Sequence, residues 1–384
     1  MDKIVVNHLG QLKHADIELG DLTILVGPQA SAKSIFLQLV KLTLDNQNIL
    51  RTIRQQGFDW KQDQGSFLSL YFGEGMQNLW TERTQIDVDG KPFDLLKVLE
   101  AKGKKTHEEK LFLIPAQRVI TLRSGWPRAF MDYETGDPYV VKQFSEKLRL
   151  LMEAGLGGGK NAIFPQEGRM NKDLRNAINQ SIFSNAEVRL DTSSVRKRIV
   201  LRVNDQDLPF MVWSAGQREF IPLLLGLYAL MPSAGAAKSR AVDWVVIEEP
   251  EMGLHPQAIS ALLLLVLELL HRGYRVIVST HSPQVLELVW AIRMLKDMDN
   301  APEHLLRLFD LRKTAYLQEL AEKVLSKNYK TYYFDRQQEN VTARDISTLD
   351  PDDIENAVAD WGGLTGFSTR VSQIISQAVR ENQD

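Results

Sequence analysis

Three short apolar runs restrict what this chain can become. Leu22–Val26 (LTILV), the strand in VDWVVIEEP and the strand in YRVIVSTHSP are almost wholly apolar, and each runs into a polar loop that opens a helical pattern. A strand with no polar side is one buried on both faces, as in a parallel sheet covered by helices. Strands alternating with helices in this way predict an α/β fold with a mainly parallel central sheet. SIFLQLVKLTL, GQREFIPLLLGLYALM, AISALLLLVLELLH and VLELVWAIRML read as the helices. KIVV, ADIEL and LFLIP read as further strands, and the alternation in RIVLRV suggests a strand of a hairpin.

The rest of the chain divides around that core. Residues 1–50 and 201–300 supply its two parts. Residues 51–110 are polar, rich in Gln and aromatics, and read as an insertion with small elements of its own. Residues 111–200 carry the loop bearing Gln117 and a lobe that is helical over 142–183. Residues 301–384 read as an α/β extension with a short strand near TYYF and a final helix. A length of 384 residues accommodates two domains, or one large domain with insertions. The absence of cysteine excludes disulfides, thiolate zinc, iron–sulfur clusters and a cysteine nucleophile, and fits a cytoplasmic setting. The first residues lack a secretory layout, and no apolar run approaches the roughly 20 residues of a spanning helix, so no membrane partner is expected. A net charge of −3 gives no overall reason to expect nucleic acid.

Gly27, Pro28, Gln29, Ala30, Ser31, Ala32, Lys33 and Ser34 follow the first buried strand and open a helix, which is the setting a phosphate loop requires. Backbone amides of such a loop wrap phosphates, and the helix N-terminus adds partial positive charge. Lys33 would reach the β- and γ-phosphates of ATP, and the Ser34 hydroxyl would hold Mg2+. Ala32 stands where a second glycine belongs; an alanine is expected there only at negative φ. The same string also arises by chance in strand–helix turns. A second buried strand ends in Glu248 and Glu249: the first is a candidate Mg2+ contact, the second the residue that polarises the attacking water. Two solvated acids at a strand end are common, but here Pro250, Glu251, Gly253, Leu254, His255 and Pro256 follow in order.

With Glu248-Glu249-Pro-Glu-Met-Gly-Leu-His255-Pro256 the chain resembles the extended Walker B and D-loop of ABC-type ATPase heads, closest to the branch of RecF, SMC-like and OLD-type proteins. Glu248 replaces the usual aspartate. His255 stands where transporter-type ATPases carry aspartate, which argues against a transporter subunit. Trp213-Ser214-Ala215-Gly216-Gln217 looks like the ABC signature. In the family this face, here Ser214, Gly216 and Gln217, completes the nucleotide site of the opposite subunit, implying an ATP-dependent homodimer. His281, after the third strand, resembles the switch histidine that contacts the γ-phosphate. Gln117 is the candidate that links Mg2+ and water to the inserted lobe; a loop glutamine without a role is the competing reading, and Arg118 a rival phosphate contact. Phosphate loop, glutamine, signature, acidic strand, D-loop and histidine occur in the family's order. The resemblance covers roughly residues 1–50, 111–120 and 200–290. It implies a P-loop NTPase of ABC type: a parallel sheet with flanking helices, an antiparallel β part and an inserted helical lobe.

Other features carry no chemistry in this reading. Gly155–Lys160 is not preceded by a buried strand and reads as a turn between helices. Lys102, Lys104, Lys105 and Arg196, Lys197, Arg198 read as solvated faces, with nucleic-acid contact the lesser reading. His107 lacks the second histidine of a zinc-protease helix, and the histidines are scattered. No long heptad run marks an SMC arm. The tail, with Asp345, Asp350, Asp352 and Asp353, shows no TOPRIM-like arrangement of acids on strand ends, so no nuclease is expected within the chain. The expected function is a Mg-ATP-dependent ATPase, slow by itself, that controls a separate effector such as a nuclease or toxin in DNA maintenance or anti-phage defence. The alternatives are an ATP-gated scaffold or sensor with very slow hydrolysis and, third, a transporter's nucleotide-binding subunit.

Overall fold

The computed structural model describes residues 1–61, 63–100, 108–156, 161–193, 197–232, 238–239 and 241–381. Lys102, Lys104, Lys105, His107, Arg196 and the 157–160 part of the glycine-rich segment lie outside the described residues.

The chain begins with a hairpin, β1 (Lys3–Leu9) and β2 (Leu12–Glu18), followed by β3 (Leu22–Val26) and α1 (Lys33–Gln55). Next come α2 (Gln64–Phe72), β4 (Trp80–Val88), β5 (Lys91–Pro92), α3 (Leu95–Glu100) and β6 (Leu111–Ile114). The lobe contains β7 (Leu122–Arg123), β8 (Trp126–Pro127), α4 (Tyr139–Ala154), β9 (Ala162–Phe164), α5 (Lys172–Ile178), β10 (Glu187–Asp191), β11 (Arg198–Val203) and β12 (Gln206–Pro209). The core resumes with α6 (Ala215–Leu230), β13 (Trp244–Glu248), α7 (Pro256–His271), β14 (Arg275–Ser279) and α8 (Pro283–Leu295). The tail adds α9 (Ala301–Arg307), α10 (Ala315–Leu325), β15 (Tyr329–Gln337), β16 (Asn340–Asp345), α11 (Asn356–Ala359) and α12 (Gly366–Glu381).

Among the described residues one sheet runs β5-β4-β1-β2-β16-β15-β3-β14-β13-β6. From β15 to β6 every neighbouring pair is parallel. Alternate side chains of its central strands enter two separate cores. Ile24, Val26, Val245, Ile247, Val276 and Val278 pack on one face with α6, α7, α8 and α10. Leu25, Trp244, Val246 and Ile277 pack on the other, with α1. That double burial is why these strands read as unbroken apolar runs. Helix α7 is apolar nearly all round because it lies inside the first core.

Several expectations change here. The strand near TYYF is β15, and it sits in the middle of the sheet: Tyr329–Tyr333 pair with Leu22–Val26. β4, within residues 51–110, extends the same sheet beside β1. The segment 142–183 is not wholly helical, because Ala162–Phe164 pair as β9 with Val188 and Arg189. The glycine-rich segment at 155–160 therefore leads from α4 to a strand, not to another helix. RIVLRV is β11, paired antiparallel with both β10 and β12 in a separate sheet. No helix among the described residues is long and apolar enough to cross a membrane.

A buried ionic cluster fixes the helix that starts at Lys33. Helix α1 breaks at Asp45 (φ −116°, ψ 17°). The Asp45 carboxylate accepts from the Lys110 and Leu111 amides at 2.7 and 3.1 Å. Lys41 Nζ meets Asp45 at 3.0 Å, Glu109 at 2.7 Å and the Leu111 carbonyl at 2.8 Å. Lys147 on α4 also pairs with Glu109. Burial alone would raise the Glu109 carboxyl, but Lys147 and Lys41 hold it down from 4.5 to about 2. Its contribution to stability is therefore complete above pH 4.5 and fades as the pH falls through that window. Lys41→Met strands carboxylates in the core, and urea unfolding should show a loss of about 3–5 kcal/mol at neutral pH. The variant should also lose part of the steep acid dependence of the wild type.

Candidate functional site

The parallel strands end at one edge of the sheet, and the polar residues that terminate them meet there. Gly27 leaves β3 at φ 149°, and a Cβ on it would lie 2.6 Å from the Phe334 carbonyl oxygen, so only glycine fits beside β15. Lys33 is buried, and its ammonium donates to the Gly27 and Pro28 carbonyls, both at 2.8 Å, and to Ser31 Oγ at 3.0 Å. The loop from Gly27 through Pro28, Gln29 and Ala30 to Ser31 thus curls around its own lysine. Burial pulls the Lys33 ammonium down to about 8, with Glu249 and Glu251 opposing that shift.

Ala32 corrects the sequence reading. Its φ is +61°, in the left-handed region, and Ala30 is at +55°. The loop keeps its turn despite the missing glycine, at a cost of about 1–2 kcal/mol for each left-handed non-glycine residue. Ala32 is at the same time buried among apolar residues that include Phe36 of α1, which offsets part of that strain.

Glu248 and Glu249 are adjacent yet differently placed. Glu248, at the end of β13, is 2% exposed. Its Oε2 accepts from the Ala116 amide at 3.3 Å, and its Oε1 is buried without a hydrogen-bond partner among the described residues. Burial pushes its carboxyl up to about 7, aided by the charge of Glu249 and opposed by the Ala116 amide and the nearby Ser34 hydroxyl. A buried carboxylate beside a hydroxyl, with one oxygen orphaned, is a donor set suited to a hard divalent cation. Glu249 turns out of the strand at φ +42°, and its amide donates to the Ser279 carbonyl at 2.9 Å. Its carboxylate lies 3.4 Å from His281 Nε2.

Two functional neighbours escaped the sequence reading in their actual roles. Glu251 accepts from the Thr280 hydroxyl at 2.8 Å and from the His281 amide at 2.7 Å, so it fixes the turn that carries His281. Its only signal was membership of the acidic string. Arg118, weighed as a rival phosphate contact, has no exposed surface. Its guanidinium donates to the carbonyls of Glu219, Glu248, Glu249 and Pro250 at 3.0–3.4 Å. It is saturated inside the fold and does not present itself to a ligand.

The remaining candidates lie around this centre. Gln117 is exposed on the short turn Ala116–Thr121, one residue beyond the amide that meets Glu248, and its side chain makes no hydrogen bond among the described residues. Ser214 is exposed and caps α6, its Oγ accepting from the Gln217 amide at 3.3 Å. The Gln217 side chain closes that cap and also donates to the Ile182 carbonyl at 3.2 Å. Gly216 abuts the loop after β13: a Cβ there would lie 2.8 Å from the Gly253 carbonyl oxygen. His255 has a structural task, capping α7 by accepting from the Gln257 amide. The structure therefore gathers Lys33, Ser34, Glu248, Glu249 and His281 at one edge, while Ser214 faces outward. The tail acids cap turns: Asp345 accepts from Ser347, Asp350 from Asp352 and Asp353 from Glu355.

A family model described as "AAA domain, putative AbiEii toxin, Type IV TA system" matches residues 138–287, from α4 into α8, a span that includes Ser214, Glu248, Glu249 and His281. No curated protein matches the chain. Among solved structures it is similar to the SMC head domain from Thermotoga maritima, at 12% identity over 90% of this chain and 98% of that one, with a TM-score of 0.36. An SmcHead bound to the C-winged helix domain of ScpA aligns at 9% identity over 90% and 96%, with a TM-score of 0.42. A dimeric bacterial ABC transporter cassette aligns at 12% identity over 74% and 90%, with a TM-score of 0.33.

Since the fold raises the Glu248 carboxyl from 4.5 to about 7, stability held below pH 4.5 is lost as the pH rises through 7. Glu248→Gln removes that cost. Melting without added metal should show the variant more stable than wild type by roughly 1–3 kcal/mol at pH 8 and nearly equal at about pH 4. An equal difference at both pH values would show that Glu248 does not titrate in this way.

Proposed function

We propose that this ABC-type P-loop ATPase head binds Mg-ATP at the sheet edge, pairs with a second copy around the nucleotide, and hydrolyses it to ADP and phosphate. The observation that carries this reading is the meeting of Lys33, Glu249 and His281, with Glu249 and His281 3.4 Å apart, beside the cation-starved carboxylate of Glu248. The loop Gly27–Ser34 holds the phosphates, and Lys33 exchanges the Gly27 and Pro28 carbonyls for phosphate oxygens. Ser34 and Glu248, with Gln117 at the rim, would hold Mg2+, which would supply charge neutralisation at the phosphates. Glu249 accepts a hydrogen bond from the attacking water, and His281 orients toward the γ-phosphate. Ser214, Gly216 and Gln217 of one copy complete the site of the other, which is in keeping with Ser214 being an exposed helix cap.

Such a head works by shifting an open–closed equilibrium, so its output falls on a partner, for which a nuclease or toxin effector is the proposed class. The matching family's description as a putative toxin of a type IV toxin–antitoxin system supports a defence setting over DNA maintenance. A second reading, an ATP-gated scaffold with very slow turnover, is favoured by the left-handed Ala32 and by a Lys33 already saturated by its own loop.

Lys33→Ala should weaken ATP binding by about a hundredfold or more, as filter binding would record, while melting stays close to wild type. Unchanged affinity refutes the loop assignment. Glu249→Gln should bind ATP and accumulate as a dimer in sedimentation velocity, and adding Ser214→Arg should return it to monomer with ATP still bound. A Glu249→Gln protein that stays monomeric at saturating ATP removes the shared-site reading. Tight ATP binding with negligible phosphate release by the wild type selects the scaffold over the ATPase.

A further inference from the structure

We propose that Arg118 is a positioning residue for Glu249, joining the helix capped by Ser214 to the turn that aims the water-activating carboxylate; this rests on the ATPase reading above. A guanidinium has five N–H donors in one plane. Here Nη1 takes the Glu248 carbonyl at 3.0 Å, and Nη2 takes those of Glu249 and Pro250 at 3.1 and 3.4 Å. Three consecutive carbonyls of a straight strand point to alternating sides and cannot meet on one cation. They converge only because the chain reverses at Glu249, whose φ of +42° is the left-handed value a glutamate avoids. Charge-assisted hydrogen bonds are roughly twice as strong as neutral ones, so the buried guanidinium stabilises the reversal that strain opposes. The same reversal sets the Glu249 carboxylate 3.4 Å from His281.

The fourth acceptor connects this turn to α6. Arg118 Nε donates to the Glu219 carbonyl at 3.1 Å, in the turn that follows the Ser214–Gln217 cap. A second link runs parallel to it, where Gly216 lies against the Gly253 carbonyl. The seat of α6 and the aim of Glu249 are thus two ends of one buried unit. In the paired state proposed above, a nucleotide held by the partner would engage Ser214, and Arg118 would carry that engagement to Glu249 within the same chain. Lysine keeps the charge but offers a single ammonium without the planar fork, so it cannot hold all four carbonyls in the same way.

The test is a kinetic cycle on the full chain. Arg118→Lys should lower kcat by about thirtyfold or more while KM and ATP affinity stay within about twofold, the pattern of an interaction that counts only in the transition state. In a Glu249→Gln background, single-turnover hydrolysis should fall by no more than about twofold further when Arg118→Lys is added, because both changes remove one function. Multiplying losses in the double variant, or wild-type turnover by Arg118→Lys, would overturn the inference and leave the ATPase reading intact. A wild-type protein that releases no phosphate overturns the ATPase reading and this inference with it. Arg118→Gln serves as the second variant if Arg118→Lys does not fold, with the same split expected. Failure of both to fold assigns Arg118 to structure alone and also overturns the proposal.

Discussion

A strand buried on both faces can show a polar side chain to solvent only where it ends. That constraint organises this molecule. Apart from the buried Thr23, whose hydroxyl accepts from the Gly20 amide, β3, β13 and β14 give their interior positions to two apolar cores, so their chemistry is displaced to the loops at their carboxyl ends. Because the strands are parallel and in register, those ends coincide: Ile247 lies opposite Val278, and Val278 opposite Ile24. Gly27, Glu248 and His281 meet for this reason, although long stretches of chain separate them.

Proximity at that edge creates an electrostatic imbalance. Glu248, Glu249 and Glu251 surround the loop, and two cations lie among them. Arg118 is spent on backbone carbonyls and Lys33 on its own loop. Among the described residues the buried Glu248 has no ion pair, the Arg118 charge offsets only part of the effect of burial, and the Glu248 proton is correspondingly hard to remove. On the proposed reading a cation and a polyanion together would relieve that state: the first would meet Glu248, and the second would give Lys33 an acceptor stronger than a carbonyl. The same geometry explains why neighbouring glutamates differ. One ends the strand and faces inward, and the other turns out at positive φ and is partly exposed.

Backbone strain is present at this edge as well. Ala30, Ala32 and Glu249 are all left-handed, and none is glycine. Such strain persists only where surrounding contacts over-determine the conformation. At Glu249 these are the Ser279 carbonyl and the Arg118 guanidinium, and at Ala32 the apolar packing that begins α1.

The sequence by itself determined the α/β class, the loop that follows β3 and the residues gathered with it, Lys33, Glu248, Glu249 and His281. Those features are local: an apolar run and the few residues that leave it, encoded within a short window. The tertiary structure alone decided what holds them. Arg118 finds its acceptors 101 to 132 residues away, Glu251 reaches Thr280 and His281 across 29 and 30, and Lys41 meets Glu109 across 68. β15 takes its place against β3 from the far end of the chain, with no mark in its own sequence to say so. Left-handed Ala32 belongs with these: residue type argued for negative φ, and a loop closing on its own lysine overrode it. Side-chain period and turn chemistry act over neighbouring residues, whereas the partners of a buried charge are set by which strands lie side by side, and that is a property of the assembled sheet.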